Sequence, residues 1–309
     1  MRNNSNLHKA KKARNDEFYT QYEDIEKEIQ NYNLEGKKIY CNCDDFRYSN
    51  FIKYFKDNFY TLKISSLTAS NYDIGECAYQ YEYDGVEEKI TALKCNGDFR
   101  SDECVELLKE ADVVITNPPF SLFREYVALL MKYNKKFLII GNQNAITYKE
   151  IFPYIKNNEL WFGVSMNGAN RWFEVPDNYP VKENAAGYKE ENGKRLLFVN
   201  GVVWFTNISN EKRNTPLYLY KKYSAEEYPT YDNYDAIECS RAENIHMDYD
   251  GVIGVPITFL HKYCPEQFEI LGMMSGAKGE GLTNGNDGRA KFYVNNKGVY
   301  ARILIRAKH

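Results

Sequence analysis

The chain has no apolar run approaching the about 18 residues that cross a bilayer. Its amino terminus is polar and basic, without the apolar segment of a secretory signal, so the expectation is a cytoplasmic protein with no membrane partner. The seven cysteines, an odd number scattered along the chain, speak for reduced thiols rather than a disulfide framework. Four histidines, His8, His246, His261 and His309, show no pairing that suggests a hydrolase. Cys41 and Cys43 lack a second Cys/His pair at zinc spacing, so no metal is expected. There is no internal repeat, and no glycine-rich turn follows the first predicted strand.

What is present suits one large α/β domain and a smaller one. The chain has 309 residues, and its hydrophobic content of 43% supports a packed core. Tyr22, Ile25, Ile29 and Tyr32 make a helical stripe that ends near Gly36. The pattern then predicts a strand over 37–41, a loop over 41–45 and a helix capped by Ser49, followed by a second strand over 60–64. Asp84-Gly85 marks an inserted hairpin over 77–94. A helix from Ser101, a strand over 113–115, a helix over 121–133 and a strand over 136–141 follow. Thr147 to Glu150 reads as a capping box opening a further helix.

This alternation predicts a doubly wound, mostly parallel sheet. Strands over 160–164, 171–175 and 202–206 suggest an antiparallel end to it. Beyond Pro216 the chain is Tyr-rich, then Gly-rich, and reads as a smaller appended α+β region. Cys264-Pro265 reads as a turn with a buried thiol.

Charge is concentrated at the ends. Residues 1–14 carry Arg2, Lys9, Lys11, Lys12 and Arg14 with no acid, and residues 271–309 carry seven basic residues against Glu280 and Asp287. The overall charge of −3 therefore leaves an acidic body between two basic termini, a distribution that fits phosphate contacts made by the ends.

The chain is organised around residues 111–120. Val113-Val114-Ile115 has the composition of a strand buried on both faces, and it stops at Asn117-Pro118-Pro119 because proline cannot continue a ladder. Asn117 thus stands at a strand's carboxyl end, where open α/β sheets bind ligands. An amide oxygen, the rigid Pro118 carbonyl and the Phe120 face make a pocket suited to a flat base carrying an amino group. Two acceptors on that amine would favour its nucleophilic form and disperse the charge that grows as a methyl group arrives. Phe120 would stack on an extruded base, an interaction worth about 1–3 kcal/mol.

Asn117-Pro118-Pro119-Phe120 resembles the catalytic tetrapeptide of amino-group DNA methyltransferases. Together with Asp16-Glu17-Phe18-Tyr19-Thr20-Gln21, Cys41-Asn42-Cys43-Asp44-Asp45, Ser49-Asn50-Phe51 and Pro256-Ile257-Thr258-Phe259-Leu260, it resembles the EcoRI-type adenine-specific methyltransferase family from about residue 14 to 275. The resemblance implies a Rossmann-like fold that uses S-adenosylmethionine and acts on double-stranded DNA in a restriction-modification setting; because a methyltransferase need act on only one strand at a time, a monomer is the expectation. It further implies that Phe18, Tyr19 and Thr20 line the methionine end of the cofactor, and that the Cys43-Asp44 loop replaces the glycine-rich turn. Asp98 would bond the cofactor's adenine amine, with Phe99 against its ring. No acidic residue for the ribose is legible, since Ser65 and Ser66 stand where it is usual. The domain reading is a basic flexible arm over 1–14, a catalytic domain over 15–215 and a target-recognition region over 216–309. Two other readings stand beside it: methylation of RNA adenine or protein glutamine, and a nucleic-acid-binding module that transfers nothing.

Overall fold

The computed structural model describes residues 20–73, 78–166, 171–175, 187–274 and 291–308. The arm over 1–14, Phe18 and Tyr19 lie outside the described residues, as does most of the Gly-rich stretch. The chain forms two compact units, one of Met1–Gln143 with Gly163–Ile208, the other of Asn144–Phe162 with Ser209–His309.

In the first unit α1 (Tyr22–Ile29) leads into β1 (Lys38–Cys41), α2 (Asn50–Asp57), α3 (Phe59–Leu62) and β2 (Ser66–Ser70). The hairpin β3 (Tyr79–Tyr83) and β4 (Glu88–Ala92) follows, then α4 (Asp102–Glu110), β5 (Val113–Thr116), α5 (Phe123–Lys132) and β6 (Lys136–Asn142). After α6 (Phe152–Lys156) and β7 (Trp161–Phe162) of the second unit come β8 (Arg171–Glu174), β9 (Tyr188–Glu191), β10 (Lys194–Val199) and β11 (Val202–Thr206).

The main strands lie in the order β4-β3-β2-β1-β5-β6-β11. Neighbours among β2, β1, β5 and β6 are parallel, whereas the β3–β4 hairpin and β11 attach antiparallel at the two flanks. The result is a mixed α/β unit on a large sheet with a parallel centre. All four residues of β5 are buried, as its apolar run requires. Ser49 and Ser101 cap α2 and α4 by accepting from the Phe51 and Cys104 amides. Ile25 and Ile29, Phe51 and Phe55, Ile39, Ile115, Leu138 and Trp204 share one core.

Three local expectations are corrected. Residues 59–62 continue the helical path as α3, Lys63 turns the chain at φ 51°, and the second strand starts only at Ser66. Its sequence, Ser-Leu-Thr-Ala-Ser, is too polar to announce a strand, yet Leu67 and Ala69 are buried. The residues that close it are Ser70 and Asn71, not Ser65 and Ser66. Thr147 opens no helix: its hydroxyl donates to the Asn144 carbonyl (2.7 Å) at the end of a 3-10 turn, Gln143–Thr147, and α6 begins at Phe152. The strand expected over 160–164 contracts to β7.

The second unit carries β12 (Thr230–Tyr231), β13 (Tyr234–Glu238), β14 (Ile253–Pro256), β15 (Phe268–Met274), the short pair β16 (Tyr293–Val294) and β17 (Lys297–Gly298), and β18 (Arg302–Ala307). Five of them form a sheet in the order β12-β13-β14-β18-β15. Tyr231 stacks on Phe292 at 4.3 Å between ring centres, beside Met274 and Leu304. The described residues of 216–308 form strands and 3-10 turns, and the α-helix of the second unit is α6. Cys264 is buried in a turn, as expected.

Candidate active site

From β1 the chain runs to β2 on one side and returns to β5 on the other, so strand order reverses between β1 and β5. A crevice opens outside the carboxyl ends of two parallel strands at such a reversal. The loops that meet there are 42–45 and 117–120, the two stretches singled out in the sequence.

Asp44 ties these loops together. It is 8% exposed and accepts from Ser49 Oγ (2.6 Å) and from Thr116 Oγ1. The backbone amide of Asn117 donates to the same carboxylate. Burial pushes its pKa up to about 6, against the opposing pull of Ser49, Thr116 and the Asn117 amide. Asp44 thereby fixes the backbone of the residue that begins the tetrapeptide.

Thr20 fixes the side chain. Asn117 Nδ2 donates to Thr20 Oγ1 (3.4 Å), and Thr20, 3% exposed, is itself held by Asn50 Nδ2 on its carbonyl (2.7 Å). Pro118 is buried, and the Pro119 carbonyl accepts from the Leu122 amide (3.0 Å) as the chain enters a 3-10 turn, Phe120–Leu122. Phe120 is 7% exposed and lies in the core of the first unit.

The remaining members are linked through α5. The hydroxyl of Tyr126, a fully buried residue, donates to Asn42 Oδ1, and its ring meets Phe99 edge-on at 5.0 Å. Burial pushes the Cys43 thiol well above its ordinary value, so this side chain is a neutral wall and not a nucleophile. Asp98 is held below the usual carboxylate range by Arg100, whose Nη2 and Nε donate to it at 2.6 and 2.9 Å. Gly97 makes this turn possible: at φ +75° a Cβ would stand 1.8 Å from the Asn71 carbonyl oxygen.

The structure thus brings together Thr20, Cys43, Asp44 and Asn117 with its two prolines, and links Phe99 to them through Tyr126 and Asn42. Asn42, Tyr126, Ser49 and Thr116 have site contacts that sequence reasoning missed; Asn42 and Ser49 stand in stretches that carry the family resemblance, but no role followed from that beyond the helix cap at Ser49. Asn42 Nδ2 is buried without a hydrogen-bond partner at the end of β1, an orphaned donor that fits a polar cofactor lying over this edge. Among the described residues no cluster of His, Cys, Asp and Glu could hold a metal ion, and no helix is long and apolar enough to cross a membrane.

Comparison with known proteins gives the class. Residues 6–308 match the family described as adenine-specific methyltransferase EcoRI, and the chain belongs to it. Among its relatives are the type II methyltransferase M.EcoRI of Escherichia coli, 45% identical over 99% of this chain and 97% of the relative, and M.MgeORF184P of Mycoplasma genitalium, 38% identical over 97% and 98%. M.MpnI of Mycoplasma pneumoniae is 35% identical over 98% of each chain. No solved structure matches. Membership makes this an enzyme that methylates adenine and therefore needs a methyl donor.

Proposed function

We propose that the protein transfers a methyl group from S-adenosylmethionine to the exocyclic N6 amine of an adenine flipped out of duplex DNA, the modification step of a restriction-modification pair. The observation that carries this is Asn117, presented at the end of a buried strand with its amide nitrogen on Thr20 and its backbone on Asp44. With Nδ2 turned to Thr20, the amide oxygen is the end that accepts an N–H of the target amine, and the Pro118 carbonyl takes the other.

Drawing on both hydrogens localises the nitrogen lone pair and disperses the positive charge of the transition state until a proton is lost. S-adenosylmethionine, when bound, supplies the sulfonium methyl carbon that the amine attacks as the carbon–sulfur bond breaks. Thr20, Cys43 and Asp44 are proposed to hold its methionine end together with Phe18 and Tyr19, and Asp98 with Phe99 its adenine. Phe120 is proposed as the stacking face for the flipped base, whose extrusion costs a few kcal/mol. In this reading residues 15–215 carry the transfer on a doubly wound, Rossmann-like domain, 216–309 help read the target, and the arm over 1–14 touches phosphates.

The test is incubation of the purified protein with methyl-labelled S-adenosylmethionine and mixed-sequence duplex DNA, followed by digestion to nucleosides. Label is expected on N6-methyl-2′-deoxyadenosine released from the DNA, and Asn117→Ala is expected to remove it while cofactor binding persists. No label in the DNA with cofactor binding intact, or wild-type turnover by Asn117→Ala, would overturn the assignment.

A further inference from the structure

Arg213 of the second unit is built unlike a structural arginine. In the same unit Arg302 is paired with a carboxylate, its Nη2 2.6 Å from Glu238 Oε1. Arg213 instead lies over the Trp161 indole at 4.0 Å, with the Tyr263 ring at 5.9 Å, and donates through Nη2 to Asn158 Oδ1 (2.9 Å). Tyr263 donates to the same amide oxygen at 3.2 Å. The backbone is fixed as well, since the Arg213 amide donates to the Asn210 side chain (3.0 Å) in the 3-10 turn Glu211–Asn214.

Among the described residues no carboxylate neutralises this guanidinium, and burial lowers its pKa, a mark of desolvated charge without a counter-ion. The residue is only partly buried, and Asn158 takes Nη2 of its fork of donors. A partly desolvated cation costs free energy unless something compensates it, and an indole face returns only part of that cost. A planar fork of donors held in one orientation with its anion missing matches a phosphate.

We infer that Arg213, clamped by Asn158, Trp161 and Tyr263, is a preformed binding group for a backbone phosphate of the DNA substrate. The inference rests on the DNA-methylating function proposed above and adds to it a named phosphate-binding residue in the second unit. The charge is uncompensated, which favours an anionic phosphate over the neutral edge of a guanine. Abolishing the interaction with one phosphate lowers the slope of log affinity against log salt by about 0.9.

The experiment is a fluorescence-anisotropy titration of labelled mixed-sequence duplexes between about 50 and 200 mM salt with wild type, Arg213→Gln and Arg213→Lys. Arg213→Gln is expected to bind roughly tenfold more weakly on every duplex, with a slope shallower by about 0.9. Arg213→Lys, which keeps the charge and loses the fork, is expected to keep the slope at reduced affinity. Slope and affinity unchanged in both variants, with only the thermal unfolding midpoint lowered, would make the stack merely structural and overturn the inference. So would a loss confined to one duplex sequence, which would indicate that Arg213 reads a base. Failure of the wild type to bind DNA would overturn the underlying function as well, and is thereby distinguishable from failure of the Arg213 proposal alone.

Discussion

At the residue scale the site turns on how two small polar groups hold Asn117. Asp44 does so through a carboxylate that accepts from two hydroxyls and a backbone amide, an arrangement that needs the ionised form. With its pKa pushed up to about 6, protonation begins just below neutrality and turns one acceptor oxygen into a donor, which releases part of the hold. Methyl transfer should fall as pH drops through about 6, and Asp44→Asn should flatten that acid limb while lowering turnover at pH 8 about tenfold. An unchanged acid limb in the variant, read from a pH series of initial rates, would clear Asp44 of the effect. Stability moves the other way. An acid whose folded pKa is raised binds its proton more tightly folded than unfolded, so its contribution is present in acid and lost as pH rises to about 6. That contribution is about 3 kcal/mol. The unfolding midpoint of wild type relative to Asp44→Asn should therefore decline across that window.

At the scale of elements α1 is the support on which Thr20 stands. Its anchor is Glu28, fully buried, which accepts from the Val164 and Ser165 amides at 2.8 and 2.6 Å, from Ser165 Oγ at 2.6 Å and from Tyr32 at 2.7 Å. Gly163 leaves room for it, since a Cβ there would lie 2.2 Å from Glu28 Oε1. Glu28→Ala strands several buried donors and should destabilise the protein by about 3 kcal/mol, with Glu28→Gln costing less, as urea unfolding would measure. A loss under about 1 kcal/mol would mean that α1 is anchored by its apolar face alone. Nothing in the sequence announces Glu28, because one acid on an amphipathic helix reads as solvated. Its burial depends on a loop more than a hundred residues away.

At the scale of the whole molecule the distribution of charge matters more than its sum. The overall charge is −3, yet residues 1–14 hold five basic side chains and no acid. Deleting them should flatten the salt dependence of DNA binding by about 0.9 for each phosphate the arm neutralises, and leave nucleoside specificity intact. An identical slope in the truncated protein would return the arm to solvent. Organisation at this scale was only partly legible, because residues 144–162 belong with the carboxyl-terminal unit while residues 163–208 return to the first. A reading in contiguous blocks cannot see such an excursion.

Local chemistry by itself determined the strand that stops before Asn117, the loop at Cys43-Asp44, the cap at Ser49, the helix from Ser101 and the Asp84-Gly85 hairpin, because each depends on neighbours within a few residues. Those signals, with the family's tetrapeptide, were enough for adenine methylation. Only the tertiary structure decided that β2 is the polar run Ser66–Ser70, that Asp44 reaches Thr116, that Tyr126 reaches Asn42, and that Arg213 meets an indole rather than an acid. Each of these joins residues far apart in the chain. Burial there follows from what the sheet and its loops bring together, and no window of sequence contains that information.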